Sequence, residues 1–597
     1  MKTDNTIRAD GFERSLEEDL KYLQKVFSAG KFQDVLDKGD VVVRRHLNSA
    51  ALFNILGSAF LELGNTNDAK AQFQRALSVD PNFPKALYNM GILCQFENNL
   101  NGSLAWWRSL TKLEPAFVEG HNSMGHVLLE LGNPTEALKC FQRTIEANND
   151  DASAHKTIGD ILRSTGDFDG AIKSYQKAVF ISPDFAEAYN NLGIAQKKIG
   201  EVDLAIKNYK TAIKIDSNFL EAHNNLGNIL TEIGEIKLAV NACQEAVFIN
   251  SDCYEAQNNL GNALLELQDF DGALACYLKA SELRPTFAAP IINSGLVMIQ
   301  KGELNDAINF FQKAILIEPT NVTAYTNIGL TFIKLSDGEI YLENEENQPG
   351  SRCTSHNFFK QSAISFFQKA LEIEPELPEV KHLLAAISNL TTSGAPKQYV
   401  EGLFDGYARQ FEDSLTNLSY RIPELLSAEI LEQSNWKTGS TLDMGCGTGL
   451  SGLKLADYSE RLVGVDLSKN MLRHAQAKNI YHELIHSELI LYLNEKKLDF
   501  DTFIAMDVFV YHGDLRPVFE VIKRRNRRSG TLAFSTEHID NGDYTLKKTG
   551  RYAHSGSYIK SLCKDYDYSL INFKKVRGRI DHGKDIESGL YLLTFEV

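Results

Sequence analysis

FNILGSAFLELGNTNDAKAQFQRALSVDP, Phe53 to Pro81, sets the fold of most of this chain. Phe53, Leu56 and Phe60 recur at helical spacing, and Ala69, Phe73 and Ala76 do so again before Pro81 ends the unit. Each run puts one apolar stripe on a short helix, and Gly57, lacking a Cβ, lets the two backbones approach closely. Gly57 is the first of nine glycines, with Gly91, Gly125, Gly159, Gly193, Gly227, Gly261, Gly295 and Gly329, spaced by a strict 34 residues. A small residue usually follows each glycine by twelve positions, and an aromatic often comes four later. A degenerate unit in the same phase, with Gly30 at its inter-helix turn, starts near residue 16, and PEVKHLLAAISNL after Pro375 reads as a closing helix. In the ninth unit Gly329 and Ala363 stand 34 apart instead of 12, so 22 residues, SDGEIYLENEENQPGSRCTSHN at 336–357, are inserted. Their acidic, Pro- and Gly-containing composition predicts a disordered loop.

The remaining composition narrows the class. At 597 residues, with 43% hydrophobic and 23% charged, the chain is globular and too long for one core. The opening MKTDNTIRADGFERSLEEDL lacks the apolar stretch of a signal peptide, and no run approaches the roughly 18 apolar residues of a membrane span. A cytoplasmic protein without membrane contact is expected. The eight cysteines never fall at CxxC spacing, so reduced thiols and no metal site are expected. From residue 395 onward 27 Lys and Arg face 28 Asp and Glu, so about −15 of the net −16 belongs to the repeats, which argues against nucleic acid as their partner.

The 34-residue unit resembles the tetratricopeptide repeat over residues 50–376, with residues 1–49 as an N-terminal segment. That resemblance implies an α-solenoid with a concave surface for a protein or peptide. Two residues before the repeat glycine, Asn89, Asn191, Asn225, Asn259, Asn293 and Asn327 sit on the first helix of their units. Asparagine is a mediocre helix former, but its amide both donates to and accepts from a peptide unit. The pattern is similar to the asparagine ladder of O-linked N-acetylglucosamine transferases, which grips extended polypeptides; the other reading is a repeat-consensus residue on a solvated face.

After TTSGAPKQ, in a closing and linker segment at 377–400, the pattern changes to short β-branched runs alternating with helices. STLDM, RLVGVD, FDTFIAMD and GTLAFS read as strands, so residues 401–597 are expected to form a doubly wound, Rossmann-like α/β sheet. LDMGCGTGL, Leu442 to Leu450, places Gly445, Gly447 and Gly449 between a strand and a helix, where a ligand can lie against backbone N–H groups. The spacing is G-x-G-x-G, not a dinucleotide fingerprint, and the Asp443 carboxylate would repel a pyrophosphate and suit a cation. Asp466 ends the next strand in VGVDLSKNML, where a carboxylate can accept both hydroxyls of a ribose.

Together these motifs resemble the class I S-adenosylmethionine (SAM)-dependent methyltransferases. The resemblance implies SAM as cofactor, held by Asp443, Gly445, Cys446, Gly447 and Gly449, by Asp466 and Leu467 at the ribose, by Ser487 and Glu488 at the adenine, and by Asp507 in a fourth motif. LFDGYARQFEDSLTNLSYRIPELL and YTLKKTGRYAHSGSYIKSL further resemble the flanks of bacterial predicted methyltransferases that carry tetratricopeptide repeats. There an aromatic N-terminal segment folds over the cofactor, which makes Phe404, Tyr407 and Phe411 lid candidates. KRRNRRSG from Lys523 is read as neutralising a helix C-terminus.

Methyl transfer needs positioning above all, and an amine or hydroxyl acceptor also needs a base. His512 and His554 are the candidate bases, with Tyr511, Tyr552 and Arg551 as candidate lining of the acceptor pocket. The expected function is a SAM-dependent methyltransferase whose repeats recruit a protein or peptide. The alternatives are a small-molecule methyltransferase that uses its repeats for docking, and a repeat scaffold with a SAM-sensing or inactive domain.

Overall fold

The computed structural model describes residues 15–342, 352–408, 411–432, 438–581 and 584–597. They form two bodies, divided between Ala263 and Leu264.

In the first body, helix pairs run from Leu16–Ser28 and Phe32–Arg45 to Leu220–Ile233 and Ile236–Ile249, and Tyr254–Glu266 crosses the division. The 34-residue glycine works as its spacing implies. A Cβ on Gly57 would stand 2.5 Å from Phe73, and one on Gly91 2.1 Å from Trp107, so each glycine is the seat of the aromatic on its partner helix. Those aromatics, among them Phe73, Trp107, Phe141 and Tyr175, are fully buried. Burying each stabilises the pair by about 1.5–3 kcal/mol. The degenerate first unit is present, with Gly30 at φ 73° between its helices.

The second body starts with Phe270–Leu283, Ala288–Lys301 and Leu304–Ile317. The ninth unit departs from the sequence reading. Its helices Val322–Leu342 and Arg352–Ile373, 21 and 22 residues long, run into the insert instead of stopping before it, and only 343–351 of the insert lie outside the described residues. The flanks of the insert continue the helices on either side, which reading the segment as one unit concealed. The closing helix is Pro378–Ile387. It packs Ala385 and Ala386 against Leu546 and Tyr552, and His382 Nε2 bonds to the Gly550 carbonyl at 2.9 Å. The following segment is pinned: Ala395 N–H donates to Tyr511 O (2.9 Å), and Asp514 N–H donates to Ser393 O (2.8 Å).

The sheet contains β1 (Thr438–Met444), β2 (Ser459–Asp466), β3 (Glu483–His486), β4 (Thr502–Ala505), β5 (Gly530–Ile539), β6 (Tyr544–Leu546), β7 (Tyr552–Ser555), β8 (Tyr568–Asp581) and β9 (Lys584–Phe595). β3, β2, β1, β4 and β5 are parallel neighbours in that order, and β9 then β8 continue antiparallel beyond β5. Glu537 pairs with Ser588 of β9 and with Ala553 of β7, so β7 extends the β4 side of β5 past the end of β4. Leu442, Val463, Phe503 and Leu532 are fully buried on one face and Ile504 and Ala533 on the other, the mark of a sheet covered on both faces. Strand order reverses between β1 and β4, which opens a crevice at their carboxyl ends. Lys523, Arg524 and Arg525 occupy the last turn of helix Arg516–Arg525, where positive charge offsets the helix dipole. Among the described residues no helix is long and apolar enough to cross a membrane.

Candidate functional site

A cavity of about 630 Å3 lies at that crevice. It is lined by Gly445, Cys446, Gly447 and Thr448 after β1, Val465, Asp466 and Leu467 at the end of β2, Ser487 and Glu488 after β3, and Met506, Asp507 and Val508 after β4. Helices Lys397–Tyr407 and Phe411–Asn417 contribute Phe404 and Phe411. Their ring centroids are 6.1 Å apart, and Phe404 meets Tyr511 edge-on at 5.4 Å. The two helices are tied down. Ser468 Oγ donates to Asp405 (2.5 Å), while Lys478 Nζ binds Glu412 (2.6 Å) and the Thr448 carbonyl (2.7 Å). The Tyr407 side chain, also a lid candidate, lies outside those described.

The glycine loop differs from the expected cradle of exposed N–H groups. Gly445 and Cys446 N–H both donate to Val465 O (2.8 and 3.1 Å), Gly449 N–H donates to Cys446 O (2.9 Å), and Gly447 N–H donates to Asp466 Oδ2 (2.8 Å). Positive φ at Gly445 (68°) and Gly447 (54°) turns these donors inward. No set of N–H groups remains at those four positions to hold a pyrophosphate, so the loop suits a neutral or cationic ligand.

Asp466 faces the cavity with its other oxygen accepting Ser468 N–H at 2.8 Å. Burial raises its pKa, opposed by these backbone bonds. Each oxygen holds one N–H and keeps a lone pair, the donor set for two vicinal hydroxyls. Glu488 instead caps helix Leu489–Glu495, accepting from Ile490 (2.9 Å) and Leu491 (2.7 Å) N–H.

Three expected site residues lie off the cavity wall. Asp443 is fully buried behind the loop, where Oδ2 accepts from the Tyr481 hydroxyl at 2.7 Å and Oδ1 has no partner. Burial pushes its carboxyl up to about 7, and its place behind the loop keeps it off the cavity wall. Gly449 caps the short helix Leu450–Leu455 at φ 91°. His554 is fully buried with Nε2 on the Gly513 carbonyl (2.9 Å), and burial lowers its pKa to about 4. His512 does line the cavity, and burial lowers its pKa and keeps it neutral.

Asp507 is bound by two arginines. Its Oδ2 lies 2.6 Å from Arg551 and 3.4 Å from Arg579, which hold its carboxyl below the usual range against the effect of burial. Glu537 Oε1 meets the same arginines at 2.8 and 2.9 Å, with Lys547 at 3.4 Å from Oε2. Asp507 itself has φ 60°, held by its N–H on Ser535 Oγ (2.8 Å). Arg551 lies 5.5 Å over the Tyr511 ring, and Tyr511, Arg551, Arg579, Tyr420 and Thr549 all line the cavity. Of the other candidate, Tyr552, the side chain is fully buried against the closing helix. Glu537 and Arg579 were not anticipated; they sit near the C-terminal ends of β5 and β8, where no local motif marks them.

The repeat asparagines Asn89, Asn191, Asn225, Asn259, Asn293 and Asn327 are all half-buried. Asn89 Nδ2 donates to Asn54 (2.9 Å) and Ser58 (3.2 Å) in the preceding unit, Asn191 to Asp160 (2.9 Å), Asn225 to Asn190 (2.9 Å) and Asn259 to Asn224 (2.8 Å). These amides therefore bridge consecutive first helices, a structural task that the sequence reading did not assign them.

Family models match along the chain: "TPR repeat" at 57–95, 159–200, 198–234 and 295–336, "Tetratricopeptide repeat" at 118–151 and 254–287, and "Methyltransferase domain" at 441–530. Similar solved structures include MamA, 25% identical over 27% of this chain and 95% of that one, with a TM-score of 0.26. YrrB, described as a TPR protein with an unusual peptide-binding site, is 26% identical over 31% and 96%, with a TM-score of 0.28. A tetratricopeptide repeat protein from Parabacteroides merdae is 15% identical over 46% and 99%, with a TM-score of 0.36. Comparison with curated proteins gives no match.

Proposed function

Because this chain joins tetratricopeptide repeats to a methyltransferase domain, we propose that residues 401–597 transfer methyl groups from SAM to a protein or peptide recruited by the repeats. The observation that carries the reading is Asp466: a buried carboxylate at the end of β2, open to a cavity of about 630 Å3, beside a glycine loop with its N–H groups turned away. That combination accommodates a ribose and a cationic tail. When bound, SAM supplies a methyl group on a positively charged sulfur.

The chain's own residues then have distinct tasks. Asp466 holds the ribose hydroxyls, Leu467, Ser487 and Glu488 border the base, and Gly445, Cys446 and Gly447 leave room beside the tail. Asp443 and Gly449 support the loop from behind. Phe404 and Phe411 exclude water, and Tyr511 orients the acceptor. Fixing two reactants in line supplies on the order of 7–11 kcal/mol in favourable cases. His512, neutral at pH 7, is the group able to take a proton where an acceptor requires it. On the repeats, the half-buried asparagines present the peptide-binding face, with their bonds to the preceding unit holding it rigid.

The test is incubation of the full-length chain with methyl-tritiated SAM and cell extract, resolved by gel and by thin-layer chromatography. Label in a protein band supports the reading. Label confined to a small molecule moves the repeats to a docking role, and no transfer above an Asp466→Ala control makes the chain a scaffold.

A further inference from the structure

One wall of the cavity is not used by the cofactor as placed above. It consists of Asp507, Tyr511, Thr549, Arg551 and Arg579, with Tyr420 beside them. Behind it stands Glu537, so two arginines and two carboxylates form one cluster, with Lys547 3.4 Å from Glu537 at its more exposed edge. The cluster is largely desolvated: the side chains of Arg551, Arg579 and Glu537 are 16%, 9% and 3% exposed. Among the described residues Arg551 Nη2 donates to Asp507 Oδ2 at 2.6 Å, while Nε, 2.8 Å from Glu537 Oε1, is not aligned to bond it and Nη1 has no intramolecular acceptor, on a wall of the cavity. A planar guanidinium with donors to spare matches a carboxylate better than any other common anionic group of this size, phosphate excepted.

The same wall lacks a base. Asp507 is locked by two arginines, and the hydroxyls of Tyr420 and Tyr511 are pushed up by burial. His512, next in the chain to Tyr511, lines the same cavity but stands outside this cluster. A carboxylate seated here needs no proton removed.

Resting on the proposed methyl transfer, we infer that the acceptor is a carboxylate held by Arg551, and that the product is its methyl ester. One carboxylate oxygen bonds to the methyl carbon as the carbon–sulfur bond of the sulfonium donor breaks. The electron pair stays on sulfur as a neutral thioether, and no proton moves. Two sources carry this chemistry: a free organic acid, and an Asp or Glu side chain on a polypeptide held by the repeats.

Calorimetry on the full-length chain saturated with S-adenosylhomocysteine compares benzoate with benzamide, and acetyl-Ala-Glu-Ala-amide with its Gln counterpart. The acid should bind at least tenfold tighter than the amide in one pair, and which pair identifies the source. Arg551→Lys, which keeps the charge but loses the planar fork, should weaken that acid at least fivefold. Independently of any variant, label transferred by the unaltered chain from tritiated SAM should be released by mild alkali as volatile methanol. Equal binding of acid and amide, no binding of either, or label stable to alkali overturns the inference. Such a result with S-adenosylhomocysteine bound leaves the methyltransferase reading standing; no S-adenosylhomocysteine binding takes both down.

Discussion

Replacing Asp466 by alanine perturbs the site at the point where cofactor and scaffold share one side chain. In the structure its two oxygens accept Gly447 and Ser468 N–H, both at 2.8 Å, and face the cavity with the lone pairs that remain. Hydrogen bonds to a charged group contribute ~1.5–3 kcal/mol each. Losing two of them to ribose hydroxyls therefore costs roughly 3–6 kcal/mol of binding, a factor of about 10^2 to 10^4 in affinity. The fold loses less. Two N–H groups are orphaned at ~1–3 kcal/mol each, but relief of a buried carboxylate offsets part of that. Asp466→Asn keeps the shape and one acceptor, so it should fall between wild type and alanine. Titration of the full-length proteins with S-adenosylhomocysteine, alongside their thermal melts, measures both effects. An alanine variant that melts normally and binds within fivefold of wild type would refute the ribose assignment.

Asp443 should make stability fall as pH rises. Its folded pKa is about 7, above the unfolded value, so the folded state holds a proton that the unfolded state has released, and up to roughly 4 kcal/mol is lost between pH 4 and 7; denaturant unfolding of Asp443→Asn should show a shallower decline over that window. Gly445→Ala should abolish cofactor binding, because φ is 68° and the new Cβ would stand 2.5 Å from Val508; binding within threefold of wild type by calorimetry would contradict this. The combined change of Asn191, Asn225 and Asn259 to Ala should lower the unfolding free energy by about 1 kcal/mol per amide lost, despite the better helix propensity of alanine, since each amide bridges to the preceding unit. His554→Ala should lower the melting temperature while S-adenosylhomocysteine affinity holds, because its ring is spent on the Gly513 carbonyl and does not reach the cavity.

Local, periodic signals were the legible ones. The 34-residue glycine and its aromatic sixteen positions later describe one contact, Gly57 on Phe73 or Gly91 on Trp107, and so survive translation from spacing into structure. Asp466 was legible because strand, turn and acid lie within one unit of the sheet. What failed to show were partners distant in sequence. Asp443 points at Tyr481, 38 residues on, and the Arg551–Asp507–Arg579–Glu537 cluster joins four separate strand ends and interiors. Nor does a glycine motif reveal which way its N–H groups turn; here Val465 O and Asp466 take them, reversing the expected cradle. The insert misled for another reason: its composition was read as one segment, while its flanks continue the neighbouring helices.

The account stands or falls on the cofactor class of the α/β domain. Titrating the full-length chain with S-adenosylhomocysteine and, separately, with NAD tests it most directly. A single saturable site for S-adenosylhomocysteine at ~micromolar affinity, with no heat from NAD, is the predicted result; binding of NAD without S-adenosylhomocysteine would contradict it.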